Sequence, residues 1–221
     1  AAWAHTELTV ETPEEKALKL ATAIDYAQAW RTYLLRKAAM VKLLTAWQAA
    51  GIRILIFKGF AVASEYYPHP GARTAGDIDL LVEETRVREL VEIAKRVFPD
   101  AIYRLTSPLT RSNESASIVI PSQQCAIDVH REIASSVYSG RDASQLTRAA
   151  WADSIPLRGF ESLAQTLSPA DSLLLGIAVN RGWSRDKWTP KPFDYIDQRK
   201  IVAGTRLTDR AVRQRAVALG L

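Results

Sequence analysis

The sequence predicts an α/β protein: a short, mixed, twisted sheet with helices on one side and further helices at both ends of the chain. Three observations support this fold class. Apolar residues repeat at helical spacing up to residue 51. The β-branched apolar run at residues 52–57 and the segment Asp77-Ile78-Asp79-Leu80-Leu81-Val82 each predict a strand. Helical spacing returns after residue 168, and helix and strand signals in one chain favour a sheet covered by helices.

The first helix has a clear predicted start. Thr12 can cap it, Pro13 suits the first helical position and Glu15 can close a capping box. The apolar face that follows reaches Gly51 and predicts either two helices or one bent helix.

A strand, a tight turn and a second helix come next. The apolar run at residues 52–57 stops at Lys58-Gly59, and residues 60–67 return to helical spacing. A loop rich in proline and glycine then carries Arg73 and leads into the second predicted strand.

The remaining elements are predicted from the same signals. Residues 85–98 form an amphipathic helix, and residues 117–121 and 124–132 form a hairpin around a short Pro-Ser turn. After residue 132 the chain becomes rich in Ser, Gly and Ala, which indicates a subdomain boundary. Ser168 caps a further apolar helix over residues 173–179.

Two more helices are predicted at residues 193–202 and 208–219. The predicted organisation is an N-terminal helical segment (1–51), a central core (52–133) and a C-terminal helical subdomain (134–221).

Composition narrows the class of protein. The chain has 221 residues and a net charge of +5, which suits an anionic ligand such as a nucleotide. Its longest apolar run is too short for a membrane span. Cys125 is the only cysteine and the three histidines are far apart, so we expect neither an internal disulfide nor a structural zinc site. A reducing, cytoplasmic setting is predicted.

Two carboxylates mark the second predicted strand. Asp77 and Asp79 are two residues apart, so in a strand both project from the same face, about 6–7 Å apart at the backbone. Their repulsion calls for a cation, and hard oxygen ligands suit Mg²⁺. On these two residues alone, a strand end with solvated carboxylates is the commoner interpretation.

A third carboxylate lies on the hairpin. Asp128 and His130 share one face of the predicted strand, so Asp128 can join the first two as a ligand. His130 could orient a phosphate or an acceptor, or be a hydrogen-bonded structural histidine. A surface strand with alternating polar residues is the alternative.

Lys58-Gly59 is a candidate phosphate site. The pair stands where a strand turns into a helix, where free backbone N–H groups and the helix dipole favour an anion and a lysine adds a point charge. A capped helix with a solvated lysine is the alternative. The chain has no Walker A pattern and no G-x-G-x-x-G, which disfavours the P-loop and Rossmann modes.

These motifs, taken in order, resemble a known family. The Lys58-Gly59 turn, Arg73, the block Asp77-Ile78-Asp79-Leu80-Leu81-Val82 and the later Ile127-Asp128-Val129-His130 are similar to the nucleotidyltransferase superfamily of DNA polymerase beta. More closely, they resemble the small bacterial "uncharacterised nucleotidyltransferase" family, over roughly residues 15–203. The Asp-x-Asp block with its preceding arginine is the most specific part.

The resemblance implies a fold and a set of roles. The sheet would be of the polymerase beta type, and residues 52–133 would be the nucleotidyltransferase core. Asp77 and Asp79 would bind two Mg²⁺ ions and Asp128 the one that activates the acceptor. Lys58, the Gly59 amide and Arg73 would hold the triphosphate.

The implied reaction transfers a nucleotide, AMP from ATP being the first choice, to a hydroxyl on a protein or peptide, a sugar or a small metabolite, and releases pyrophosphate. Superfamily relatives usually carry Gly-Ser at the turn, whereas Phe60 follows Gly59 here. Phosphate contacts must then come from the backbone, Lys58 or Arg73.

Two other classes of function stay open. A catalytically silent nucleotide-binding or toxin-neutralising module would not need all three carboxylates. A basic nucleic-acid-binding protein would use the C-terminal cations, although we favour a solvated helix face and expect no nucleic-acid or membrane partner. These cations are Arg199, Lys200, Arg206, Arg210, Arg213 and Arg215. Trp183 and Trp188 could stack on an acceptor or pack the helical subdomain.

Overall fold

The computed structural model describes residues 12–107, 113–134, 143–182 and 192–220. The helices in these ranges are α1 (Pro13–Ala49), α2 (Lys58–Tyr66), α3 (Val87–Val97), α4 (Ala143–Ala152), α5 (Pro169–Gly182), α6 (Pro192–Ala203) and α7 (Asp209–Ala218). The strands are β1 (Leu55–Phe57), β2 (Ile78–Leu81), β3 (Ile102–Leu105), β4 (Glu114–Ile120), β5 (Cys125–His130), β6 (Ile155–Pro156) and β7 (Gln165–Thr166).

Helix α1 begins with the predicted capping box. The Thr12 hydroxyl accepts a hydrogen bond from the Glu15 amide at 3.2 Å, and the Glu15 carboxylate accepts one from the Thr12 amide at 3.0 Å. From there α1 runs unbroken to Ala49. The sequence left open two helices or a bent one, and the structure contains a single helix.

The described strands form one mixed sheet in the order β3-β4-β5-β2-β1-β7-β6. Strand β2 runs antiparallel to β1 and parallel to β5, and β1 runs parallel to β7. The predicted hairpin of β4 and β5 is present. This order places β2, with Asp79, at the centre of the sheet between β1 and β5.

Helices cover both faces of the sheet. Ile56 and Leu80 point to one face and join a core with α1 and α3. Phe57 and Leu81 point to the other face and pack with Ala150 of α4. The expectation of helices on one side only is therefore wrong, because the sequence patterns predicted no helix at residues 143–152, where α4 lies.

The predicted C-terminal helical subdomain also contributes to the sheet. Strands β6 and β7 come from it, and Leu55 of β1 pairs with Gln165 of β7. The domain boundary at residue 134 stays a prediction. Trp183 and Trp188 lie outside the described residues, so their two interpretations also stay open. In the described part of the chain, no helix combines the length and the apolar character that a bilayer crossing requires.

Candidate active site

Asp79 and Asp128 lie side by side on neighbouring strands. They are register partners in the parallel pairing of β2 and β5, so their side chains leave the same face of the sheet, on strands about 4.8 Å apart. Asp77 comes one residue before β2 begins, and it is exposed whereas Asp79 is buried. The face that carries them is the one covered by α4, since Leu81 of β2 points the same way.

Asp79 is bound by two groups of this chain. The Lys58 ammonium contacts its Oδ1 atom, and His130 Nε2 lies 2.9 Å from the same atom. Burial alone would raise the pKa of Asp79, but the hydrogen bond with His130 and the charge of Lys58 outweigh it and hold this pKa below its ordinary value. Asp79 is therefore ionised, and Lys58 and His130 stabilise its negative charge.

The pKa of Asp128 is shifted in the opposite direction, above its ordinary value. It is half-buried, and burial raises its pKa, with further increases from the negative charges of Glu114, Asp77 and Asp79. Asp128 therefore lies close enough to Asp77 and Asp79 for their charges to act on it.

Glu114 is a residue of this face that the sequence analysis missed. The register between β4 and β5 shifts between Glu114 and Ala116, so Glu114 rather than Ser115 stands opposite His130. Strict alternation from Ser117, the partner of Asp128, would have placed Glu114 on the other face. A β-bulge of this kind re-aims a side chain without leaving a sequence signal.

The Lys58-Gly59 turn opens helix α2. Lys58 has a backbone φ of 56°, in the left-handed region. Phe57, the N-cap residue, makes no side-chain hydrogen bond to the first turn. The first N–H groups of α2 are thus left without a side-chain cap, as an anion site requires. The Phe60 side chain is buried, so it takes no part in this corner.

The Arg73 side chain approaches Gly59 closely. A Cβ atom at Gly59 would lie 2.5 Å from Nη1 of Arg73, so a larger residue there would displace the guanidinium. The Arg73 guanidinium therefore lies directly over the turn, and its predicted contact with the triphosphate stays a prediction.

Arg73 is also held by the C-terminal helices. Its Nη2 donates to Asp197 Oδ2 at 2.8 Å, and the Tyr67 hydroxyl donates to Asp197 Oδ1 at 2.7 Å. The guanidinium carbon lies 5.1 Å from the centre of the Phe193 ring. Asp197 and Phe193, both on α6, were not predicted as site residues, because nothing in the local sequence links α6 to Arg73.

A cavity of about 430 Å³ lies between the sheet and the C-terminal helices. Lys58, Asp77 and Asp79 line it on the side of the sheet, and Leu175 and Gln198 line it on the side of α5 and α6. Its volume is in the range of small-molecule sites in proteins. The cavity therefore connects the candidate phosphate corner with the C-terminal helices.

The donor types fit Mg²⁺, although the side chains are not yet arranged around one. Asp77, Asp79 and Asp128 offer carboxylate oxygens, the hard ligands that Mg²⁺ prefers. Across the described ranges, however, no three acidic, histidine or cysteine side chains are positioned to hold a metal ion together. The Lys58 ammonium already contacts Asp79, and a metal would have to replace it there.

The fold is shared with nucleotidyltransferases of the polymerase beta type. The solution structure of the antibiotic-resistance factor ANT(2'')-Ia matches with a TM-score of 0.52 and 16% sequence identity, over 83% of this chain and 94% of that chain. The crystal structure of ANT(2'')-Ia in complex with adenylyl-2''-tobramycin matches with a TM-score of 0.52 and 16% identity, over 83% of this chain and 96% of that one. The prediction of a mixed sheet of the polymerase beta type with flanking helices is confirmed.

Residues 5–221 match the model of the family described as uncharacterised nucleotidyltransferase. The chain belongs to this family and is a nucleotidyltransferase, which confirms the resemblance predicted from its motifs. No curated protein matches the chain.

Proposed function

We propose that this nucleotidyltransferase moves a nucleoside monophosphate, AMP from ATP, to a hydroxyl of an acceptor molecule, with Mg²⁺ held by Asp77, Asp79 and Asp128. The acceptor class is a protein or peptide side chain, a sugar or another small metabolite. The reaction forms a bond between the acceptor oxygen and the α-phosphorus and breaks the bond from that phosphorus to its bridging oxygen, so that pyrophosphate leaves.

One observation carries the proposal. Asp79 and Asp128 are register partners on one face of the sheet, and the cavity that Asp79 lines also contains Lys58 and Gly59. Carboxylates beside a helix N-terminus in one cavity match the two parts of a metal–triphosphate complex. ANT(2'')-Ia has the same fold and has been crystallised with an adenylyl product, which makes ATP the first nucleotide to test.

Each residue has a distinct part in this proposal. The carboxylates bind the metal, which when present supplies positive charge to the attacking and leaving oxygens. Lys58, the Gly59 amide and Arg73 hold the triphosphate, and Asp197 keeps Arg73 over the turn. His130 orients Asp79 through the hydrogen bond between its Nε2 atom and Asp79 Oδ1 at 2.9 Å. The acceptor enters from the side of the cavity lined by α5 and α6.

The experiment measures nucleotide binding and turnover together. Calorimetry with an ATP analogue that carries a methylene between its α- and β-phosphates should give much weaker binding in a chelator than in Mg²⁺. Release of pyrophosphate from ATP should require Mg²⁺ and be lost in Asp77→Asn. Asp25→Asn, an exposed aspartate of α1, is the matched control and should behave like the wild type.

Other outcomes would identify the two alternative functions. Nucleotide binding that is equal with and without metal, with no turnover, would identify a silent module. Salt-sensitive binding of an oligonucleotide without any nucleotide binding would identify a nucleic-acid-binding protein. Arg215 argues against nucleic-acid binding, because its guanidinium forms ion pairs with Asp171 and Asp153 instead of facing solvent.

A further inference from the structure

The positive charge that compensates Asp79 comes from the chain itself. The Lys58 ammonium contacts Asp79 Oδ1 and also lies 4.9 Å from the centre of the Phe57 ring. The Asp79 side chain is 7% exposed and that of Lys58 28%, so solvent screens this pair only partly. Lys58 therefore occupies one of the carboxylate oxygens that the proposed function assigns to Mg²⁺.

The backbone of Lys58 is fixed while its side chain can move. The residue joins β1, which is hydrogen-bonded to β2 and β7, to the first turn of α2. Its φ of 56° is one that side-chain-bearing residues rarely adopt, and the flanking strand and helix maintain it. The four-carbon stem is flexible, so the ammonium can exchange partners without a change in the fold.

The cavity offers that second partner. Lys58 and Gly59 line it together, and the uncapped N–H groups of α2 open there. A triphosphate bound at this corner would place oxygen anions within reach of the same ammonium that now contacts Asp79. One lysine cannot fully satisfy both anions at once.

We propose that Lys58 is an internal counter-ion that takes the place of a divalent cation at Asp79 until a nucleotide arrives. The incoming triphosphate draws the ammonium away and frees Asp79 for the metal. The inference rests on the proposed function. It has one specific consequence: metal and nucleotide bind much more tightly together than either does alone, and Lys58 is the cause.

The test is a titration with Mn²⁺, followed by the electron paramagnetic resonance signal of the free ion, in the absence of nucleotide. Lys58→Met removes the competing cation and should bind Mn²⁺ about tenfold more tightly than the wild type. Lys58→Gln keeps a hydrogen-bond donor for Asp79 without the charge, and should show the same gain if the methionine variant folds poorly. Lys42→Met, which removes an ammonium that lies over the ring of Phe98, is the control and should leave the affinity unchanged.

A second titration adds the methylene analogue of ATP. In the wild type the analogue should tighten Mn²⁺ binding strongly, and in both Lys58 variants this synergy should shrink. Equal Mn²⁺ affinity in wild type and both variants without nucleotide overturns the inference, even where the wild type binds metal and nucleotide together. A wild type that binds no nucleotide at any Mn²⁺ concentration overturns the proposed function, and the inference with it.

Discussion

The ion pair between Arg73 and Asp197 should contribute far more to stability than the exposed pair between Arg53 and Glu83. Both have an N–O distance of 2.8 Å, but the side chains of the first pair are 16% and 15% exposed and those of the second 68% and 53%. Asp197→Asn preserves shape and removes charge, leaving Arg73 partly buried without its anion. We expect a loss of about 2–3 kcal/mol in the free energy of unfolding.

Glu83→Gln is the matched control and should cost less than about 0.5 kcal/mol, because solvent screens exposed pairs. For a chain of this size, these losses correspond to a fall in melting temperature of roughly 4–12 °C for Asp197→Asn and of at most about 1–2 °C for Glu83→Gln. Urea denaturation followed by circular dichroism measures both free energies. Equal losses in the two variants would refute the argument that burial determines how much the ion pair between Arg73 and Asp197 stabilises the fold.

Three further predictions concern single side chains. Asp79→Asn should lose about 1–3 kcal/mol of unfolding free energy in urea, because two partners bind this carboxylate, whereas the exposed Asp77→Asn should lose under about 0.5 kcal/mol; equal losses would contradict the site geometry. Burial raises the pKa of the Cys125 thiol from 9.0 to about 11. The unfolded chain therefore gives up this proton first, and stability should fall as pH rises through that interval, with a shallower fall in Cys125→Ala denatured in urea at each pH; identical slopes would exclude this thiol. Trp47→Phe removes the 3.0 Å hydrogen bond to the buried Leu90 carbonyl and should cost about 0.5–1.5 kcal/mol by thermal melting, whereas an unchanged melting temperature would show that this bond does not contribute to stability.

The sequence predicted the parts of the site that local patterns encode. The spacing of Asp77 and Asp79 placed two carboxylates at the second strand, and Lys58-Gly59 marked a strand-to-helix turn. The mixed sheet and its family followed from the same motifs.

The missed features depend on long-range structure. Asp197 binds Arg73 although the two are 124 residues apart in the sequence, and no local pattern around a single aspartate in a helix predicts such a partner. Glu114 reaches the site face through a bulge that breaks the two-residue period. Strand β3 is exposed throughout, and strands of two residues such as β6 are too short to show alternation.

The pairing of β1 with β7 delays the completion of the sheet during synthesis. Strand β1 is made well before its second neighbour, which belongs to the segment around Gln165. Until then β1, whose three residues are all buried in the finished sheet, presents an unpaired apolar edge on the nascent chain. A fragment that stops at residue 133 would keep that edge and should self-associate. Because Lys58 follows β1 directly, the backbone before Lys58 would be held by strands on both sides only after residues 165–166 have joined the sheet.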